Sequence, residues 1–122
     1  MNKQHQIKVY AYKNCSTCQK ALKFLDQNNI SYELLAIREQ PPTVAELKLM
    51  LQVQKDLKKL FNTSGLEYKA LNMKEQVKSL SEEQALKLLS QNGKLVKRPF
   101  LISSEGLALV GFKTEEWSKV LS

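Results

Sequence analysis

A strand signal that runs straight into a helix signal, and then into a second strand, constrains this chain more than any other feature. Ile7, Val9 and Ala11 alternate with Lys8, Tyr10 and Tyr12, the period-two pattern of a strand. From Ser16 to about Asn28 the period becomes helical: Cys18, Ala21, Leu22 and Leu25 share one face, and Asn28-Asn29 is the stop. Ser31 to Ile37 reads as a second strand. A strand–helix–strand unit of this length returns the second strand parallel to the first.

The remainder extends that unit in two stages. Gln40-Pro41-Pro42 breaks the chain, and the segment after it is almost wholly helical. Thr43-Val44-Ala45-Glu46 has the form of a capping box, leading into an apolar face of Val44, Leu47 and Leu51. Leu57, Leu60 and Phe61 make a short apolar stripe, and Asn62-Thr63-Ser64-Gly65 is a turn or cap cluster. Asn72-Met73-Lys74-Glu75 and Ser81-Glu82-Glu83-Gln84 read as two more helix starts of capping-box type. Ala85, Leu86, Leu88 and Leu89 carry the last of these helices to a stop at Asn92-Gly93. Strand character returns at Pro99 to Ser103 and Leu107 to Gly111, around a turn at Ser104-Glu105-Gly106. A terminal helix opens at Thr114, with Trp117, Val120 and Leu121 facing inward. This order predicts an α/β fold of thioredoxin-like type: a mixed four-stranded sheet with an inserted helical subdomain. Residues 1–122 form one domain, with 6–42 and 94–122 as sheet core and 43–93 as the insertion.

Size and charge bound the function. A chain of 122 residues fits one domain with its own core. No apolar run approaches the roughly 20 residues that cross a bilayer. The polar start Met1 to Gln6 lacks the apolar stretch of a signal peptide. A cytoplasmic location with no membrane partner is therefore expected, where a close cysteine pair is catalytic, redox-sensing or metal-binding rather than a permanent disulfide. The 19 Lys plus Arg against 12 Asp plus Glu give a formal charge of +7. The basic residues are spread evenly over both halves, as expected of solvated helix faces. No aromatic-basic platform accompanies them, so no direct nucleic-acid binding is expected. Attraction for anions is the functional reading of the excess.

The residues with chemistry lie at the first strand-to-helix junction. Cys15 and Cys18, the only two cysteines, form a Cys-X-X-Cys where a helix N-terminus offers unpaired N–H groups and the positive end of a dipole. Both favour thiolate, the attacking species. Three readings are open. In a redox pair, Cys15 at the exposed helix start attacks and Cys18, one turn in, resolves the adduct. A zinc site needs four ligands, and only His5 stands beside the two thiols as a candidate. A structural pair would place both sulfurs in the core. Arg98-Pro99, entering a strand, suggests a cis peptide bond; in a thioredoxin-type fold such a proline packs on the active cysteine. Arg98 would then stand near Cys15, able to stabilise the thiolate or grip an anion through its planar fork. The backbone amides of Asn14, Ser16 and Thr17 offer an anion-binding loop, with Ser16 or Thr17 as alternative helix caps. Arg38 reads as a solvated surface residue, Tyr10 and Tyr12 as strand packing, and Trp117 as core.

The Asn14-Cys15-Ser16-Thr17-Cys18 motif after a strand, the Leu60-Phe61-Asn62-Thr63-Ser64-Gly65 segment and the late Lys97-Arg98-Pro99 together resemble the arsenate reductase (ArsC)-like family, which includes the Spx-type transcriptional regulators. The resemblance runs from about Ile7 to Leu121 and is nearest the small Gram-positive branch carrying a Cys-X-X-Cys. It implies a thioredoxin-like fold, Cys15 as the reactive cysteine, and Pro99 beside it. In the reductases the cysteine attacks arsenate, three arginines grip the oxyanion, and glutathione or a glutaredoxin completes the cycle. Only Arg98 matches such an arginine here; none stands around Asn62 to Ser64 or Leu107 to Lys113, where Lys113 and Lys69 are the nearby cations. The resemblance thus implies a thiol-dependent oxidoreductase acting on a disulfide, glutathione adduct or oxyanion, with no bound cofactor or metal. Its electron donor would be glutathione or a thioredoxin/glutaredoxin-type partner. The alternative it implies is a Spx-type redox switch that binds RNA polymerase.

Overall fold

The computed structural model describes residues 6–121. The chain enters through β1 (Ile7–Ala11), turns into α1 (Ser16–Gln27) and returns as β2 (Glu33–Ala36). It then runs through α2 (Val44–Gln54), α3 (Leu66–Ala70), α4 (Met73–Gln76) and α5 (Glu82–Gln91) before β3 (Phe100–Ser103), β4 (Ala108–Val110) and α6 (Thr114–Leu121). Single 3₁₀ turns at Leu57–Leu60 and Gly93–Leu95 bracket the connection from insertion to sheet. The strands form one mixed sheet of order β2-β1-β3-β4, with β1 and β2 parallel and the other pairs antiparallel. This is the thioredoxin-like arrangement that the order of elements predicts.

Both faces of the sheet are covered at β3 and β4, which explains why those strands read as nearly continuous apolar runs, whereas the edge strand β2 is largely exposed. Ile7, Val9, Ala11, Leu101 and Leu109 pack with Cys18, Ala21 and Leu25 of α1 and Trp117 of α6. On the opposite face Tyr10, Phe100, Ile102 and Ala108 meet Leu47 and Met50 of α2, Leu86 and Leu89 of α5, and Leu60, Phe61 and Leu95. Trp117 is fully buried, its ring edge-on to Phe112 and its Nε1–H donating to the Gly111 carbonyl at 3.0 Å. Among the described residues no helix is long and apolar enough to cross a membrane.

Several local expectations shift. α2 buries Leu47 and Met50, while Val44 is exposed and Leu51 only partly covered, because Glu46 bonded to Tyr10 of β1 sets which side of the helix faces the sheet. Val120 of α6 is likewise exposed, leaving Trp117 to anchor that helix. Asn72 adopts a left-handed conformation (φ 52°) and makes no side-chain cap, so it is a turn residue before α4 rather than half of a capping box. Gly93 has no positive φ; it is required because a Cβ there would lie 1.8 Å from the Ile37 carbonyl oxygen.

The two capping boxes at Thr43 and Ser81 are present as their sequences predict. Thr43 Oγ1 accepts from the Glu46 N–H at 3.1 Å, and Glu46 Oε1 accepts from the Thr43 N–H at 3.0 Å. The same carboxylate accepts from the Tyr10 hydroxyl at 2.7 Å and from Lys8 Nζ at 3.2 Å, tying α2 to β1. Burial opposes ionisation of Glu46, but these donors outweigh it and hold the carboxyl below its usual range. Burial and the bond to Glu46 push the Tyr10 hydroxyl well above the ordinary tyrosine value. Removing only the hydroxyl cap, Thr43→Ala, is expected to cost about 1 kcal/mol by urea denaturation with an unchanged slope.

Candidate functional site

β1 ends at Ala11, and a tight turn, closed by the Cys15 N–H donating to the Tyr12 carbonyl at 3.0 Å, carries the chain into α1. Cys15 is itself the N-cap of that helix: its backbone is extended (φ −101°, ψ 116°), and its Sγ accepts from the Cys18 N–H at 3.3 Å. Neither Ser16 nor Thr17 caps the helix, because Ser16 is already its first residue. The sulfur thus occupies the place usually taken by a Ser or Asp oxygen and receives the helix's unpaired donor.

The two thiols are unpaired and differently placed. Cys15 is half-buried, whereas Cys18 is fully buried beneath α1. Burial works against ionisation at Cys15, but the Cys18 thiol, the Cys18 N–H and the Arg98 guanidinium outweigh it and hold the thiol below its ordinary value. Burial, together with the Cys15 sulfur, pushes the Cys18 thiol up to about 12. Ionisation is therefore easier at Cys15 than at an ordinary thiol and harder at Cys18.

Arg98 reaches the site through the backbone of the insertion. Asn62 N–H donates to the Leu95 carbonyl and Lys97 N–H to the Leu60 carbonyl, both at 2.8 Å, with Phe61 bridged to Val96. That short pairing sets the Asn62 to Ser64 turn beside Arg98. The Arg98-Pro99 peptide is cis, as its sequence context suggested, and Pro99 is buried. A cleft of about 660 Å³ opens at this junction. Cys15, Thr17 and Arg98 line it with Lys58, Lys97 and Lys113, Asp56 and Glu116 being among its acids.

Asn14 and Ser16 are exposed and do not line the cleft; the Asn14 amide instead donates to the Tyr12 hydroxyl at 3.2 Å. Lys69 lies on α3, away from the lining, so only Lys113 of the two nearby cations faces it. Lys58 and Lys59 carry no motif that marks them in the sequence, yet both border the cleft, as does Lys97 of the Lys97-Arg98-Pro99 motif. Nor does the sequence reveal the pairing of Arg38 with the site: its guanidinium carbon sits 3.8 Å from the Tyr12 ring centroid, and that of Arg98 sits 5.2 Å from the same ring. Tyr12 therefore does more than pack a strand. Among the described residues no group of three or more His, Cys, Asp or Glu side chains could hold a metal; His5 lies outside them.

Fold and site together define a thioredoxin-like protein with a cysteine pair at the start of its first helix. The ArsC family model matches residues 10–120, and the chain belongs to that family. It is 41% identical over 114 residues to the uncharacterised protein YusI of Bacillus subtilis, covering 93% of this chain and 96% of YusI. It is similar to the solved structure of a Bacteroides fragilis protein described as related to the ArsC family, with TM-score 0.87 and 44% identity over 97% of this chain and 99% of the other. It is also 27% identical over 116 residues to the global transcriptional regulator Spx of Listeria monocytogenes, covering 94% of this chain and 86% of Spx.

Proposed function

We propose that this protein is a thiol-dependent oxidoreductase in which Cys15 attacks and Cys18 resolves. The observation that carries the reading is the half-buried Cys15 sulfur serving as helix cap, beside Arg98 and above a protonated Cys18. The Cys15 thiolate attacks one sulfur of a disulfide, forming a mixed disulfide and releasing the other half as a thiolate that takes a proton from solvent. Cys18 then loses its proton and attacks the Cys15 sulfur. The substrate's remaining half leaves as a thiol, and the two cysteines, oxidised by two electrons, are joined as a disulfide. A dithiol protein of thioredoxin or glutaredoxin type, or two glutathione molecules, returns the two electrons. A glutathione adduct of another thiol enters at the first step: Cys15 takes the glutathionyl sulfur, the other thiol leaves, and Cys18 then releases glutathione. Thr17 and Arg98 border the substrate in the cleft, the buried Pro99 fixes the backbone next to Arg98 without lining the cleft, and Ser16 contributes only backbone to the helix start. Asn14 acts by fixing the Tyr12 ring.

Oxyanion chemistry is less well supported, because Arg98 is the only arginine on the cleft and lysines are point charges rather than bidentate clamps. The test of the main reading is trapping: Cys18→Ser is expected to accumulate a mixed disulfide through Cys15, visible by intact mass, and Cys15→Ser to accumulate none. A Cys18→Ser protein that forms no adduct with any small or protein disulfide would overturn it.

A second reading rests on the similarity to Spx across most of the chain. On that reading the cysteine pair is a switch whose oxidation changes affinity for RNA polymerase. Redox-dependent co-purification with polymerase supports it, and absence of binding in both oxidation states removes it.

A further inference from the structure

Arg38 lies outside the cleft, yet it is held in place with unusual economy. Its guanidinium stacks 3.8 Å above the Tyr12 ring centroid, and Arg98 approaches the same ring at 5.2 Å. Stacking uses the face of a guanidinium and leaves its in-plane N–H donors available. Among the described residues neither arginine forms an ion pair with a carboxylate. Two like charges are drawn to one ring; Arg98 also faces the Cys15 sulfur, and the pair favours an anion beside Arg38.

A second cavity of about 540 Å³ is lined by Arg38, Lys94 and Arg98 with Asn62 and Ser64. Its one acid, Glu67, has its carboxylate engaged by the Asn92 side-chain N–H at 3.0 Å. Arg98, Asn62 and Ser64 line both this cavity and the Cys15 cleft, so the two are continuous past Arg98. The volume is within the range of small-ligand sites. A compact tetrahedral oxyanion would leave the second cavity empty. A peptide-like acid, reacting at Cys15, would reach it.

We propose that the cavity bounded by Arg38, Lys94 and Arg98 is a carboxylate-binding subsite for the non-reacting end of the small disulfide that Cys15 attacks. The proposal rests on the oxidoreductase reading and adds the substrate class: disulfides or thiol adducts that carry a carboxylate some distance from sulfur. Arg38 sets this preference, and its action is on binding rather than on the sulfur.

Two probes separate the subsite from the chemistry. Second-order rate constants for oxidation of the reduced protein are measured with glutathione disulfide and with the neutral hydroxyethyl disulfide. The ratio of the first to the second is expected to fall about tenfold in Arg38→Ala and to recover in part in Arg38→Lys, as expected for loss of a charge-assisted hydrogen bond. Binding of unreactive S-methylglutathione, monitored by amide chemical shifts, is expected at 92–98 and near 38 in the wild type and to weaken in step in Arg38→Ala. An unchanged ratio, or equal slowing with both disulfides, overturns the subsite while leaving Cys15 an oxidoreductase nucleophile. Failure to react with either disulfide, with S-methylglutathione still bound through Arg38, overturns the oxidoreductase reading and leaves an anion site. Neither reaction nor binding overturns both.

Discussion

Gly93→Ala is expected to lower stability by about 3 kcal/mol, at the upper end of what an added methyl group costs in a packed interior. The reason is that the new Cβ meets backbone rather than side chain: it would lie 1.8 Å from the Ile37 carbonyl oxygen and 3.0 Å from the Arg38 Cα. A rotamer change cannot relieve that, so either the Gly93–Leu95 turn or the end of β2 must move. In a domain with a total stability of order 10 kcal/mol the loss corresponds to a fall in Tm of roughly 10 °C. Urea denaturation checks it, with a lower midpoint and an unchanged slope. Because Gly93 presses on Ile37 and Arg38 and leads into the segment that carries Arg98, a shift around the methyl group is expected to disturb the Arg38–Tyr12–Arg98 stack as well. A variant as stable as the wild type would mean that this contact is looser than the geometry requires.

Thiol modification gives the second large effect. At pH 7 the Cys18 thiol, pushed up to about 12, carries a thiolate fraction on the order of 10⁻⁵. Cys15, held below its ordinary value, is ionised to a far greater extent. Iodoacetamide is therefore expected to label one residue quickly, and Cys15→Ser to reduce the labelling rate roughly a thousandfold or more. The rate should rise with pH around a midpoint below the usual thiol value of about 8.5. Arg98→Ala, which removes a cation favouring the thiolate, should move that midpoint upward and nothing else in the profile. The two sulfurs interact, so the midpoints belong to the pair and not to each residue in isolation. A wild-type midpoint at or above the usual thiol value would end the case for an activated nucleophile.

Much of the fold was legible because its determinants are local. The strand–helix junction, the Asn28-Asn29 stop, both side-chain capping boxes and the hairpin at Ser104 to Gly106 are set by neighbours a few residues apart, and they stand where periodicity and turn chemistry put them. What the pattern missed depends on packing angles. Which stripe of α2 faces the sheet is decided by Tyr10 and Glu46 locking together, a contact between residues 36 apart. Gly93 reads as a helix stop because glycine often is one; that it faces the Ile37 backbone requires the insertion to be folded. The sequence places Cys15 at the start of the helix, but the sulfur is half-buried rather than exposed, and its service as the cap is hidden because cysteine is not an ordinary cap residue. Arg38 was the plainest omission: an exposed arginine after a strand is indistinguishable from any surface cation until the parallel register sets it over Tyr12.

The sulfur cap of α1 also bears on energetics that lie beyond nucleophilicity. An anion seated on the Cys18 N–H and facing Arg98 stabilises the dithiol form of the protein, whereas a sulfur tied into a disulfide carries no such charge. Stabilising one member of a redox couple shifts its midpoint toward that member. On the oxidoreductase reading, the oxidised protein is expected to be a more avid acceptor of electrons than two cysteines in an unstructured peptide, favoured toward its dithiol form by the same first turn of helix that activates Cys15.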